Sequence, residues 1–191
     1  MKTRTKALLL TLCAALLVCA TVLATMAFLT ATDSVRNTFT VGNVAITLDE
    51  AEVDANGKAV TPENRVDANQ YKLIPGKTYD KDPTIHVATD SEDCWLFVKL
   101  ENGLVDITGA TTIENQMTAK GWAVIDATKN IYAYRSIASA DTDVVVFDTF
   151  TLAKDAAVER YKTAEIVVTA YAVQADGFTS AADAWAAAGL E

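Results

Sequence analysis

Seven consecutive residues, Cys94-Trp95-Leu96-Phe97-Val98-Lys99-Leu100, are apolar on both faces of an extended chain save for one lysine. Such a run must be covered on both sides, which is the place of a central strand in a sandwich. Shorter alternating stretches surround it. Within Phe39 to Leu48, the residues Val44, Ile46 and Leu48 alternate with Ala45 and Thr47. Ile85 and Val87 share one side of Thr84 to Thr89. Ala164 to Val173 places Ile166, Val168 and Ala170 on one face and Val167, Tyr171 and Val173 on the other. This period of two is the strand signal. Tyr71 to Ile74, Trp122 to Ile125, Ile131 to Ile137 and Val144 to Phe150 read as further strands.

Turn chemistry separates these runs. Asn56-Gly57 inside Val53 to Val60 predicts a hairpin with a type I′ turn, Pro75-Gly76 a turn, and Asp90 to Asp93 an acidic turn. Thr61 to Asn69 reads as an exposed polar loop. Thr111 or Thr112 caps a short helix carrying Ile113 and Met117 and ended at Gly121, and Asp155 to Lys162 is a helical turn. Ser180 with Asp183 opens a helix over Ala181 to Ala188, ended by Gly189, with Trp185 packing it onto the sheet. The expected fold is all-β: a jelly-roll-like antiparallel β-sandwich with short peripheral helices, after an N-terminal signal helix.

That signal comes from the first residues. Lys2, Arg4 and Lys6 lead an uncharged run from Ala7 to Thr32, and Asp33 is the first acid. Cations, an apolar core and small residues near its end are the parts of a secretory signal. Thr25 and Ala27 are small enough for the two peptidase pockets, which places the cut before Phe28. Left uncut, the run is long enough to anchor the chain in a bilayer, which takes about 20 residues. Cys13 and Cys19 follow Leu12 and Val18, where a lipid-attachment box needs Gly, Ala or Ser. The chain divides into a signal peptide, residues 1–27, an N-terminal segment, residues 28–40, and a domain, residues 41–191.

The exported part has 13 Lys and Arg against 25 Asp and Glu, a net charge of −12, so nucleic acid and anionic headgroups are repelled. Contact with a membrane is expected only through the uncleaved signal. Cys94 alone remains after cleavage, which excludes an intramolecular disulfide. Stability must come from burial and strand pairing.

Little in the chain points to catalysis. The single histidine, His86, lies in an alternating strand and is expected to face solvent. No His-Glu-x-x-His motif or Gly-x-Ser-x-Gly elbow accompanies it. Cys94 is expected in the core. Glu52, Asp54, Asn56, Gly57 and Glu63 fall at positions 1, 3, 5, 6 and 12 of an EF-hand-like calcium loop. Position 9 is the apolar Val60 and the flanks are strands, so the expectation is a turn with solvated acids and no cofactor. Trp95, Trp122, Tyr132, Tyr134 and Tyr171 are strand aromatics, read as core, with sugar binding as the alternative.

Three blocks carry a resemblance. The first is the signal end Ala24-Thr25-Met26-Ala27-Phe28, continued by Thr32-Asp33-Ser34-Val35-Arg36-Asn37-Thr38-Phe39-Thr40-Val41-Gly42-Asn43-Val44 and Ile46-Thr47-Leu48-Asp49-Glu50. The second is Leu73-Ile74-Pro75-Gly76-Lys77-Thr78-Tyr79 with Lys81-Asp82-Pro83, and the third is Ala170 to Phe178 followed by Ala184-Trp185. Together they resemble the TasA and camelysin-like proteins of Gram-positive bacteria. The resemblance implies export through a SipW-type signal peptidase and a non-enzymatic structural subunit of extracellular biofilm matrix or cell-surface fibres. It implies head-to-tail self-assembly by strand exchange, with the segment carrying Phe28, Leu29, Ala31, Val35 and Phe39 completing the sheet of the next subunit. Camelysin-like members are described as surface metalloproteases, a chemistry for which one histidine and no zinc motif do not supply the ligands. A metalloprotease and a carbohydrate or cell-wall binding module are the alternative functions.

Overall fold

The computed structural model describes residues 5–6, 11–17, 43–61, 63–105, 107 and 112–190. Residues 5–6 and 11–17 are helical, and among the described residues no helix is long and apolar enough to cross a membrane. The cleavage residues Thr25, Ala27 and Phe28, and the segment residues Leu29, Ala31, Val35 and Phe39, lie outside the described residues. The chain separates into two compact units, Met1–Thr40 and Val41–Glu191.

The second unit is an antiparallel β-sandwich. In chain order it contains β1 (Ile46–Ala51), β2 (Arg65–Val66), β3 (Thr78–Asp80), β4 (Thr84–Val87) and β5 (Cys94–Asn102), then α1 (Ile113–Ala119), β6 (Trp122–Asp126) and β7 (Ile131–Tyr134). These are followed by β8 (Asp143–Val145), β9 (Thr149–Thr151), a 3₁₀ turn (Val158–Tyr161), β10 (Ile166–Gln174) and α2 (Ala181–Ala188). One sheet runs β2-β1-β4-β8 and the other β10-β5-β7-β6, with β3-β9 as a separate pair.

That separate pair continues β4-β8 in the same register. Val87 N–H donates to Thr142 O, Val146 N–H to Pro83 O, Lys81 N–H to Asp148 O and Leu152 N–H to Lys77 O. Every second position of one long ladder is thus bonded, but Pro83 has no N–H to return. The expected strand over Val144 to Phe150 is accordingly split into β8 and β9.

The central-strand reading of Cys94 to Leu100 holds. Leu96, Val98 and Leu100 point into the main core with Ile85, Val87, Trp122, Phe147 and Phe150. On the outer face Phe97 meets Trp185 of α2 at 5.0 Å and Tyr171 meets it edge-on at 5.5 Å, so the C-terminal helix covers this sheet as expected. Thr112 caps α1 through Asn115 N–H, and Ile113 and Met117 are its buried residues.

Three local expectations are corrected. Tyr71 to Ile74 is not a strand: Ile74 N–H donates to the Tyr79 hydroxyl and Tyr71 OH to Asp80 O, so side chains take the place of a ladder. Thr61 to Asn69 is not wholly an exposed loop, because Arg65–Val66 pairs with Glu50 and Ala51. In the first hairpin Gly57 has φ +68° but Asn56 stays at negative φ, so the turn is not type I′. Asp54 Oδ1 accepts from the N–H groups of Asn56 and Lys58 at 2.8 and 2.9 Å, an Asx turn that holds Asn56 in the ordinary region.

Candidate functional site

The two long sides of the sandwich differ. On the β6-β8 side, Trp122 Nε1–H donates across to Val145 O at 3.1 Å. The Gln116 side chain of α1 donates to Thr149 O and accepts from the N–H groups of Asp148 and Thr149. Helix and indole together close that side.

The β1-β10 side is open. A groove of about 810 Å³ runs along it, lined by Leu48, Glu50, Tyr71, Leu73, Ile166 and Val168 among others. Ile166, Val168, Ala170 and Ala172 pack against the main core yet are only half-buried, as are Val44, Ile46 and Leu48 opposite. In β5, one strand inward, Leu96 and Val98 are fully covered. The groove therefore leaves one seam of the core uncovered.

Backbone parity adds to this. At one end of the β10-β5 ladder Ala175 N–H donates to Asp93 O, and at the other Gly103 N–H donates to Glu165 O. Between them the register is unbroken, so the odd-numbered residues of β10 bond to β5. In an antiparallel strand alternate residues turn their N–H and C=O to opposite edges. Ile166, Val168, Ala170 and Ala172 thus turn theirs outward, and among the described residues no strand pairs with that edge. On β1, Ala88 N–H donates to Ala45 O on the β4 side and Glu52 N–H to Asn64 O on the β2 side. Ile46 and Leu48 therefore also face outward, and β2 reaches only Glu50 and Ala51. On both walls the residues with outward backbone groups are those with inward apolar side chains.

Charges border the groove. Lys81 Nζ and Glu50 Oε2 lie 2.6 Å apart with side chains 12% and 5% exposed, and Glu50 Oε1 accepts from Asn69 N–H. Burial pushes the Tyr71 phenol well above its usual range, and the carboxylates of Glu50, Asp82 and Asp80 push the same way. On the outer face of this sheet, Arg65 Nε is 2.7 Å from Asp49 Oδ1, and its Nη1 is 2.7 Å from Asp82 Oδ2.

His86 belongs to this outer network, which corrects the expectation that it faces solvent. Its Nε2 lies 2.9 Å from Asp49 Oδ1 and its Nδ1 2.5 Å from Asp143 Oδ1. Burial opposes a charge on the ring, but the bonds and charges of Asp49 and Asp143 outweigh it and hold the pKa above 6.5. Both nitrogens donate, so neither presents a lone pair to a metal or a nucleophile.

The residues of the calcium-loop pattern do not converge. Asp54 Oδ1 is occupied by its own turn, Glu52 Oε2 accepts from Asn64 Nδ2 at 2.9 Å, and Asn56 Nδ2 points to Asp54 Oδ2 at 3.4 Å. Glu63 is exposed, and among the described residues no three His, Cys, Asp or Glu side chains are grouped to hold a metal ion. Of the strand aromatics, Trp122 and Tyr132 are buried, Tyr134 packs on the main core, and Trp95 and Tyr171 pack under α2. Cys94 is fully buried, as expected.

Comparison with known proteins finds no matching family model, no matching curated protein and no matching solved structure.

Proposed function

We propose that this chain is an exported structural subunit of the TasA and camelysin-like kind, which assembles head to tail into extracellular matrix or cell-surface fibres once its signal is cut. The observation that carries the reading is the open seam between β1 and β10, where apolar side chains and unpaired backbone groups belong to the same residues. A strand supplied by another copy satisfies both at once. The 28–40 segment follows a cleavable-type signal and alternates apolar and polar residues. The contact it makes is heterologous, so it propagates into an open filament.

The test is electron microscopy of the mature protein, Phe28 to Glu191, beside the same protein lacking Phe28 to Thr40. Filaments from the first and monomers from the second support the reading. Monomers from both, across salt and pH, refute it.

A further inference from the structure

Within the domain, Asn43 O accepts from Glu92 N–H, and the neighbouring Asp93 O accepts from Ala175 N–H, both at 2.8 Å. The start of the domain and the C-terminal end of β10 therefore lie at the same end of the sandwich. Glu50, Asp67 to Tyr71 and the N-terminal end of β10 border the groove at the other end. A segment that precedes Asn43 thus leaves one pole of its subunit, while the groove is widest toward the opposite pole.

From this placement, and resting on the fibre reading, we propose that β10 is the acceptor edge and that residues 28–40 of a second copy run antiparallel to it with their odd-numbered side chains inside. The direction follows from connectivity. In a head-to-tail stack the donor's residue 40 is tethered at its own Asn43 pole, next to the acceptor's groove mouth. Residue 28 then reaches inward toward the end of β10 at Gln174. Chain sense in the groove is from Gln174 toward Ile166, opposite to β10.

The face follows from parity. Directly opposed residues of an antiparallel pair share a side of the sheet. The outward-bonding residues of β10, Ile166, Val168, Ala170 and Ala172, are its inward-pointing ones. A strand bonded to them puts its own opposed residues inside. In the donor the odd positions hold Leu29, Ala31, Val35 and Phe39, while the even positions after Phe28 hold Thr30, Thr32, Ser34, Arg36, Thr38 and Thr40. Only the odd set is apolar enough to cover the seam. Length is sufficient: thirteen extended residues span about 43 Å, against about 30 Å for the nine of β10.

Hydrogen exchange on filaments of the mature protein, read residue by residue, tests the edge. The amides of Val168, Ala170 and Ala172 exchange at least about tenfold more slowly in filaments than in monomer, while those of Thr169, Tyr171 and Val173, already bonded to β5, change little. Ala170→Pro removes an outward N–H that the subunit itself does not use, and it folds but does not polymerise. Tyr171→Pro, which removes a β5 bond, lowers stability instead. Direction is read by a short thiol cross-linker: Phe39→Cys with Ile166→Cys joins neighbouring subunits, and Leu29→Cys with Ile166→Cys does not. Filaments whose even-numbered β10 amides stay unprotected, or the reverse cross-linking pattern, overturn this assignment and leave the fibre reading standing. A mature protein that never polymerises and behaves identically without residues 28–40 overturns both.

Discussion

His86 on β4 and Asp143 on β8 stand directly opposite each other in the strand register, with ring Nδ1 and carboxylate Oδ1 2.5 Å apart. Asp49 holds the other ring nitrogen, so the ring serves both carboxylates only as an imidazolium. Its pKa is raised in the folded state. The stability it contributes is fully present below the unfolded value and is lost as pH rises through the folded one. Asp49, whose carboxyl is held below its usual range because His86 and Arg65 outweigh its burial, works the other way and loses its contribution only in acid. Asp143 is 68% exposed, so screening keeps the effect small. The expected outcome is a fall in Tm of about 2–4 °C between about pH 6 and about pH 9, the size of ~1 kcal/mol in a chain this long. His86→Gln flattens that slope in calorimetry, and an unchanged slope refutes the assignment.

Gly57→Ala is expected to be among the more damaging single-methyl additions. A Cβ at this position lies 2.3 Å from Tyr79 Cδ1, and φ is +68°. Tyr79 cannot yield easily, because its ring stacks on Phe150 at 4.9 Å and its hydroxyl donates to Lys72 O. The left-handed backbone costs an alanine about 1 kcal/mol and the clash adds to it, for a loss of about 2–4 kcal/mol by urea unfolding. A loss below about 1 kcal/mol would show that the hairpin floats free of Tyr79.

Much of the fold is legible in the residues because it rests on alternation. Cys94 to Leu100 and Ala164 to Val173 each declare a strand and its two faces, and Thr112 and Ser180 declare their caps. What alternation does not encode is which edge remains unpaired. The β1-β10 seam depends on β2 stopping after two residues and on β10 having one neighbour, both matters of topology. Arg65 gave no local signal, since one cation in a polar stretch reads as solvated until Asp49 and Asp82 are brought to it from two other segments. His86 was misjudged for the same reason: strand parity places it on the outer face, but only pairing supplies the carboxylates on either side.

Cys94 is the single thiol of the exported chain, and burial pushes its pKa up to about 11, with Asp93 adding to the effect. A buried protonated thiol is a poor nucleophile. Mature protein in native buffer is expected to take up no maleimide over hours and one equivalent per chain once unfolded in guanidinium. Labelling at native rates independent of global unfolding would place Cys94 at a locally opening edge.

The closed and open sides of the sandwich should respond oppositely to truncation. Trp122 is fully buried, bridges to Val145 O and packs on Tyr134 at 5.3 Å, so Trp122→Ala opens a cavity and strands a carbonyl. A loss of about 3–5 kcal/mol is expected in urea, large against the stability of a domain this size. Val168 is half-buried at the seam, so Val168→Thr removes little covered surface in the monomer and costs under about 1.5 kcal/mol. If the seam is where another copy docks, that mild variant is the one that slows filament growth in light scattering. A Val168→Thr protein as destabilised as Trp122→Ala would mean that this side is already sealed in the isolated subunit.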